Sequence, residues 1–449
     1  MPTLTNDQQA ALEKIGAWMR DPTSTAYLLE GGAGVGKTYL LQAILEEQLG
    51  RGEIIVATPT HKATNVIRRK LDTAGLPWTR GYDAYSHCGG IVTGTTAALL
   101  GIAPVIDEHQ TEKETKFGKS GKGILSKLIP RLLVIDEVSM LDCASFLDLV
   151  KLGRDRGMKI LAVGDAGQLP PVKKQAIPFA KIKNQSTLRQ VVRQAEGSAI
   201  VELAWAIREG RPWRNIVGRG VERPARALDA FLSTVSKPGD LPEEDRPVFI
   251  AYRNCVVDTA QEAACQKVYR HGRRAFAAGE LVLCESNLYR DKVLLAANQD
   301  ELIVERFHED QRDETCGVPV TLRHRAGPRG SFRAYYLSPE EMADKRHPFN
   351  VELAERSTRA NNLQQEFDRL PRTDSRRAAV DSERRQAWRA FFEWRDQTVI
   401  SFRHPFALTS HKSQGSTYRA VYADVADLAK HSAASLYVAV TRPRETLAV

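Results

Sequence analysis

Cysteine is scarce in this 449-residue chain, with six in all (Cys88, Cys143, Cys255, Cys265, Cys284 and Cys316) and no two in a C-x-x-C pair. That spacing suggests neither a zinc ribbon nor a dithiol redox motif, and it leaves the thiols as reduced, mostly buried apolar fillers. Long apolar runs are missing too, for nothing approaches the ~18 consecutive apolar residues of a transmembrane helix. The opening Met1-Pro2-Thr3-Leu4-Thr5-Asn6-Asp7 has neither the basic start nor the apolar centre of a secretory leader, so a cytoplasmic protein with no membrane partner is expected. There is no internal repeat and no low-complexity tract. Acidic residues number 55 against 64 Lys and Arg, a formal charge of +9, with 42% apolar and 27% charged residues. This is the composition of a globular protein of more than one domain, and its basic balance points toward a polyanionic partner without separating nucleic acid from an acidic membrane.

What is present begins with Ala26-Tyr27-Leu28-Leu29-Glu30, a β-prone run, then Gly31-Gly32-Ala33-Gly34-Val35-Gly36-Lys37-Thr38, then a helical pattern from Tyr39 to Leu49. Strand, G-x-x-x-x-G-K-T loop and helix in that order make a phosphate-binding loop. Similar apolar runs at Ile54–Ala57, Leu132–Ile135 and Lys159–Val163 alternate with helical segments, which predicts a parallel sheet covered on both faces over roughly the first 185 residues. Between Cys88 and Lys127 the rhythm breaks into a turn-rich segment with five lysines from Lys113 to Lys127, and a solvated loop is as good a reading of it as a functional insertion. Beyond Pro178, Val248–Ala251, Val421–Ala423 and Leu447–Val449 read as strands of a second α/β lobe. Within its long insertion, Glu280–Cys284, Glu301–Phe307, Val318–Arg323 and Arg333–Leu337 read as four strands of a small barrel. From Ser375 to Thr398 an amphipathic arm carries Trp388, Phe391 and Phe392, a stripe better explained by packing than by base stacking.

The chemistry concentrates in three places. Glycines in the loop let successive backbone N–H groups face one anion; Lys37 would neutralise β- and γ-phosphates and the Thr38 hydroxyl would ligate Mg²⁺. Leu132-Leu133-Val134-Ile135 ends in Asp136-Glu137, where Asp136 would hold Mg²⁺ through water and Glu137 would orient and deprotonate the attacking water. A third strand ends in Val163-Gly164-Asp165-Ala166-Gly167-Gln168-Leu169-Pro170-Pro171-Val172, where the Gln168 amide can donate to phosphate while accepting from water.

With Leu4-Thr5-Asn6-Asp7-Gln8, Thr58-Pro59-Thr60-His61-Lys62-Ala63, Tyr85-Ser86-His87, Leu188 with Arg193, Thr409-Ser410-His411-Lys412-Ser413-Gln414-Gly415-Ser416 and Tyr437-Val438-Ala439-Val440-Thr441-Arg442, these motifs resemble superfamily 1 helicases over nearly the whole chain. The acidic motif Asp136-Glu137-Val138-Ser139-Met140 sets them with the B-type group of RecD and Dda rather than the UvrD-like branch, and length and insertion placement resemble Dda most. The resemblance implies two RecA-like P-loop lobes with parallel sheets that clamp ATP, the nucleotide site being Gln8, Gly31, Gly32, Ala33, Gly34, Val35, Gly36, Lys37 and Thr38. It implies that Gln8 reads adenine and that Arg193 and Arg442 reach the γ-phosphate. Thr60, His61, Lys62, Ser86, His87, His411 and Lys412 would hold phosphates of a single strand crossing both lobes.

By the same resemblance the first lobe is 1–87 and 129–186, a pin is inserted at 88–128, the second lobe is 187–274 and 399–449, and 275–398 forms an SH3-like barrel with a helical tower. The pin departs from the family pattern in being Lys-rich, with a single aromatic, Phe117, as the candidate strand-separating wedge. The expectation is an ATP- and Mg²⁺-dependent DNA helicase running 5′ to 3′ as a monomer on single strands and duplex junctions. A single-strand-binding or replication protein is its candidate partner, in replication, recombination or repair. An RNA helicase, or a nucleotide-gated translocase that does not unwind, is the alternative.

Overall fold

The computed structural model describes residues 4–80, 90–101, 104–106, 112–114, 124–171, 175–190, 198–290, 293–325, 330–371, 373–397 and 399–449. In the first lobe Leu132–Ile135 has no polar alternation because both its faces are covered. Leu132 and Val134 join one core with Ile54, Val56, Leu161 and Val163; Leu133 and Ile135 join another with Ile55, Ala57, Ile160 and Ala162. The sheet has seven strands, in spatial order Trp78–Arg80, Ile91–Thr95, Ile54–Thr58, Leu132–Ile135, Lys159–Gly164, Ala26–Gly31 and Gln185–Leu188, and every pairing is parallel. Helices Asn6–Arg20, Lys37–Gln48 and His61–Ala74 supply the first core, and Thr96–Leu100 and Cys143–Arg156 the second.

The segment 88–128, expected as an inserted pin, lies partly within the first-lobe sheet and core. Ile91–Thr95 pairs in register with Ile54–Thr58 as a core strand, and Leu99, Leu100 and Leu125 are buried beneath the sheet. Gly89-Gly90 and Gly94 mask that strand in the sequence. What is described beyond it is a short antiparallel hairpin, Pro104–Ile106 with Glu112–Glu114.

The second lobe has a five-stranded parallel sheet, ordered Val221–Glu222, Pro443–Ala448, Tyr418–Ala423, Pro247–Ala251 and Ala407–Thr409. The four expected barrel strands are present as Leu281–Cys284, Glu301–Phe307, Val318–His324 and Phe332–Tyr336. Residues 399–403 close them: Val399–Ile400 pairs with Tyr335 and Tyr336, while Phe402–Arg403 pairs with Leu283 and Cys284 at the opposite edge. The barrel therefore runs past the expected boundary at 398, and Ile400 and Phe402 both enter its core. Gly317, at φ +94°, precedes the third strand where a Cβ would stand 2.1 Å from the Tyr336 carbonyl oxygen, so only glycine fits. Pro348–Arg369 and Arg377–Gln397 pack side by side as the arm. Its stripe is largely structural, as expected, since Phe391 is buried against Trp388, although Phe392 is exposed.

The thiols divide differently from the expectation. Of the five described, Cys265 and Cys284 are buried, Cys143 and Cys316 half-buried and Cys255 exposed. Cys265 lies 3.3 Å from His404 Nδ1, and His404 meets Glu280 at 2.8 Å, a nucleophile-like geometry that burial disarms by pushing the thiol up to about 12.

Candidate functional site

The phosphate loop turns from the strand Ala26–Gly31 through Gly34 and Gly36, both left-handed at φ +80° and +76°. The following helix has no side-chain cap, so its first N–H groups are left for an anion. Lys37 Nζ donates to the carbonyls of Gly31 at 2.7 Å and Gly32 at 3.0 Å, which curls the ammonium back over the loop.

Two strands over, beyond Lys159–Gly164, the Glu137 amide donates to Asp136 Oδ1 at 3.0 Å. Burial raises both carboxyls above their usual range; for Glu137 the neighbouring Asp136 adds to the rise, while Lys37 and Arg442 oppose it. Glu137 is itself left-handed at φ +54°, a strain of roughly 1 kcal/mol of the kind held at functional sites. Its Oε2 is buried without a hydrogen-bond partner, and so is Gln168 Oε1. Two orphaned acceptors beside a phosphate loop call for donors. A hydroxyl from Thr38 and a buried carboxylate from Asp136 are hard oxygen donors of the kind Mg²⁺ takes alongside substrate phosphates, and a cation there would relieve the desolvated Asp136. Among the described residues no cluster of three or more His, Cys, Asp and Glu forms a metal cage by itself.

Gln8 is fully buried at the start of the first helix, where its Oε1 accepts from the Thr5 amide at 3.0 Å and its Nε2 donates to the Val35 carbonyl at 3.1 Å. It thus caps the helix and props the phosphate loop. Arg442 arrives from the second lobe, buried, donating to the carbonyls of Val438 at 3.0 Å and Ser416 at 3.2 Å. Burial lowers its pKa and Glu137 opposes that, which puts the guanidinium in the electrostatic field of the acidic motif.

Three residues at this junction carry no role in the motif reading. Tyr437 Oη accepts from the Ala33 amide at 3.0 Å and donates to Asp165 Oδ2 at 2.8 Å. Arg208, ending the helix Ala199–Arg208, bridges Glu30 at 3.0 Å and Asp165 at 3.2 Å. The Trp205 ring lies where a Cβ on Gly32 would meet it at 3.1 Å. The signal for Tyr437 was its place five residues before Arg442; Trp205 and Arg208 sit in an unremarkable helix.

The residues expected to hold the strand are partly engaged elsewhere. Thr60 caps the helix His61–Ala74, its Oγ1 accepting from Ala63 at 3.2 Å. Lys62 is buried and pairs with Glu243 of the second lobe at 2.6 Å, so in this arrangement of the lobes its ammonium is occupied. Burial opposes its charge, but Tyr418 and Glu243 more than offset this and hold the ammonium above its usual value. Lys412 likewise pairs with Glu285, which Arg403 also meets at 2.7 Å. His61 and His411 are both lowered by burial, so they are neutral at pH 7. Ser86, His87, Phe117 and Arg193 lie outside the described residues.

Residues 3–220 match the family model of an AAA domain and residues 404–449 that of a UvrD-like helicase C-terminal domain. An uncharacterized protein of Acanthamoeba polyphaga mimivirus is 21% identical over 492 residues, covering 98% of both chains. The ATP-dependent RecD2 DNA helicase of Deinococcus radiodurans is 31% identical over 191 residues, 41% of this chain but only 22% of the longer protein. Among solved structures, Pif1 helicase from Bacteroides in complex with ADP-AlF3 and ssDNA superposes with a TM-score of 0.53 at 18% identity, over 100% of this chain and 92% of that one. Two coordinating Pif1 helicases at forked dsDNA give a TM-score of 0.51 at 19% identity, with the same coverage.

Proposed function

We propose that the chain is an ATP-dependent DNA helicase of the RecD-like kind that translocates 5′ to 3′ on single-stranded DNA, a reading supported by its two family-model matches and its likeness to a RecD2 helicase. The observation that carries the reading is the pair of orphaned buried acceptors, Glu137 Oε2 and Gln168 Oε1, beside a phosphate loop closed over by a second RecA-like lobe. An attacking water has two O–H donors to give them; Glu137 orients it and takes its proton, and Gln168 keeps an amide N–H to give the γ-phosphate. The raised Glu137 carboxyl is the stronger base for that proton. Mg²⁺, when bound by Thr38 and Asp136, supplies charge neutralisation on the phosphates. Arg442 is permanently charged and belongs to the second lobe, so its approach to the γ-phosphate ties hydrolysis to lobe closure.

The strand would cross Thr60, His61 and His411, with Lys62 and Lys412 released to it as the lobes move. The 5′ to 3′ direction rests on the family resemblance. The polarity, the preference for DNA and true unwinding stand together in one experiment: ATP hydrolysis is measured with and without single-stranded DNA or RNA over a salt series. Lys37→Ala and Glu137→Gln serve as controls, and unwinding is then read on 5′- and 3′-tailed duplexes. Stimulation by DNA that fades with salt, and opening of the 5′-tailed duplex, are expected. Hydrolysis indifferent to DNA defeats the translocase reading, greater stimulation by RNA favours the RNA helicase, and stimulation without strand opening favours a non-unwinding motor. Both controls should stop turnover and keep strand binding.

A further inference from the structure

Resting on the nucleotide-site reading above, we infer that Tyr437 is a positioning residue whose hydroxyl competes with nucleotide phosphate for the Ala33 amide and so links nucleotide binding to the lobe contact. One oxygen does two jobs there. It accepts from the phosphate-loop N–H of Ala33 at 3.0 Å and donates to Asp165 at 2.8 Å, although Tyr437 belongs to the second lobe and both partners to the first. Tyr437 is buried, and burial followed by the nearby Asp165 carboxylate raises its phenol pKa, so it remains a neutral donor. Arg208 of the second lobe pins the same Asp165 to Glu30, the last side chain before the loop. The approach is close: a Cβ on Gly32 would stand 3.3 Å from the Tyr437 hydroxyl and 3.1 Å from the Trp205 ring.

A backbone N–H has a single proton to give. An anion that takes the Ala33 N–H therefore takes it from Tyr437, which keeps Asp165 as its acceptor and is free to shift with its lobe. Asp165 and Gln168 share one turn, the Gln168 amide donating to the Asp165 carbonyl at 3.1 Å. The exchange at Ala33 thus reaches the residue assigned to the γ-phosphate through two hydrogen bonds.

The test is Tyr437→Phe, which keeps the ring and deletes the oxygen, with Arg208→Gln as the companion that loosens the lobes without freeing the Ala33 amide. Binding of a fluorescent ADP analogue and the split between KM and kcat for DNA-stimulated hydrolysis are measured, with thermal melting to confirm folding. Losing a competing neutral hydrogen bond should tighten ADP binding about three- to tenfold in Tyr437→Phe and lower KM, with Arg208→Gln, which keeps the hydroxyl, tightening it by clearly less. Unchanged or weaker binding in folded Tyr437→Phe overturns the inference. Equal tightening in both variants also overturns it, since the lobe contact and not the hydroxyl would then be responsible. A wild-type protein that binds no nucleotide would sink the helicase reading itself, and this inference with it.

Discussion

Glu243→Gln should be a more damaging substitution at the lobe interface than Lys62→Met, although the two residues form one ion pair. Lys62 is 8% exposed and lies 2.6 Å from Glu243, whose side chain is 19% exposed. Breaking a buried pair by removing one partner costs about 3–5 kcal/mol, chiefly because the other charge is stranded. The residual exposure of Glu243, and the field of Glu301 that still reaches Lys62, put its loss at the low end, about 3 kcal/mol. Lys62→Met strands a carboxylate that still has Arg69 at 4.0 Å and the field of Arg246, so about 1–2 kcal/mol is expected. With both partners gone no charge is stranded, and the double variant should fall short of the summed costs by about 2 kcal/mol. Urea denaturation of the four proteins measures this cycle. Equal or greater damage from Lys62→Met, or costs that add to within about 0.5 kcal/mol, would refute the account of a pair isolated from water. The same Glu243→Gln protein tests the strand-binding assignment of Lys62. If strand phosphates and Glu243 compete for that ammonium, single-stranded DNA should bind more tightly at low salt.

Two further expectations follow from geometry. Lys62 holds the Glu243 carboxyl below its usual value of 4.5 in spite of burial, so its contribution to stability is complete above about pH 4.5 and is lost as the pH falls toward the lower folded value. Glu243→Gln should therefore flatten the acid limb of the stability curve, and an unaltered limb would count against the pairing. Gly317→Ala would drive a methyl into the Tyr336 carbonyl from a left-handed backbone, costing upward of about 3 kcal/mol in the barrel. Its melting should split from that of the lobes, with nucleotide binding kept; a single unshifted transition would show that the barrel can yield there.

The strands Ala26–Gly31, Ile54–Thr58, Leu132–Ile135 and Lys159–Gly164 were legible because each is an apolar run that ends in a turn or a charged motif, a pattern set by local burial. Ile91–Thr95 was not, since Thr93 and Gly94 dilute its apolar character and only pairing with Ile54–Thr58 explains its burial. The barrel's alternating strands could be read, but its closing pieces are two residues each and have no period of their own. At the site, the loop, the acidic pair and Gln168 follow from local sequence chemistry. The tie from Ala33 to Tyr437 spans 404 positions, and nothing near either residue announces the other. Lys62 shows the converse: its motif suggests a phosphate ligand, and its partner lies in another lobe.

The segment 399–403 gives the molecule a peculiar connectivity. The arm leaves the barrel after Phe332–Tyr336 and returns to it at Val399–Ile400, directly alongside. A nick in the turn between the arm helices would thus divide the chain into two polypeptides, yet each would hold part of the hoop. They would share a sheet as well, since Pro247–Ala251 comes before the cut while Ala407–Thr409 and Tyr418–Ala423 come after it. The arm can lengthen, shorten or be severed at its tip without unthreading either fastening, which makes its tip the cheapest part of this motor for evolution or an engineer to rewrite.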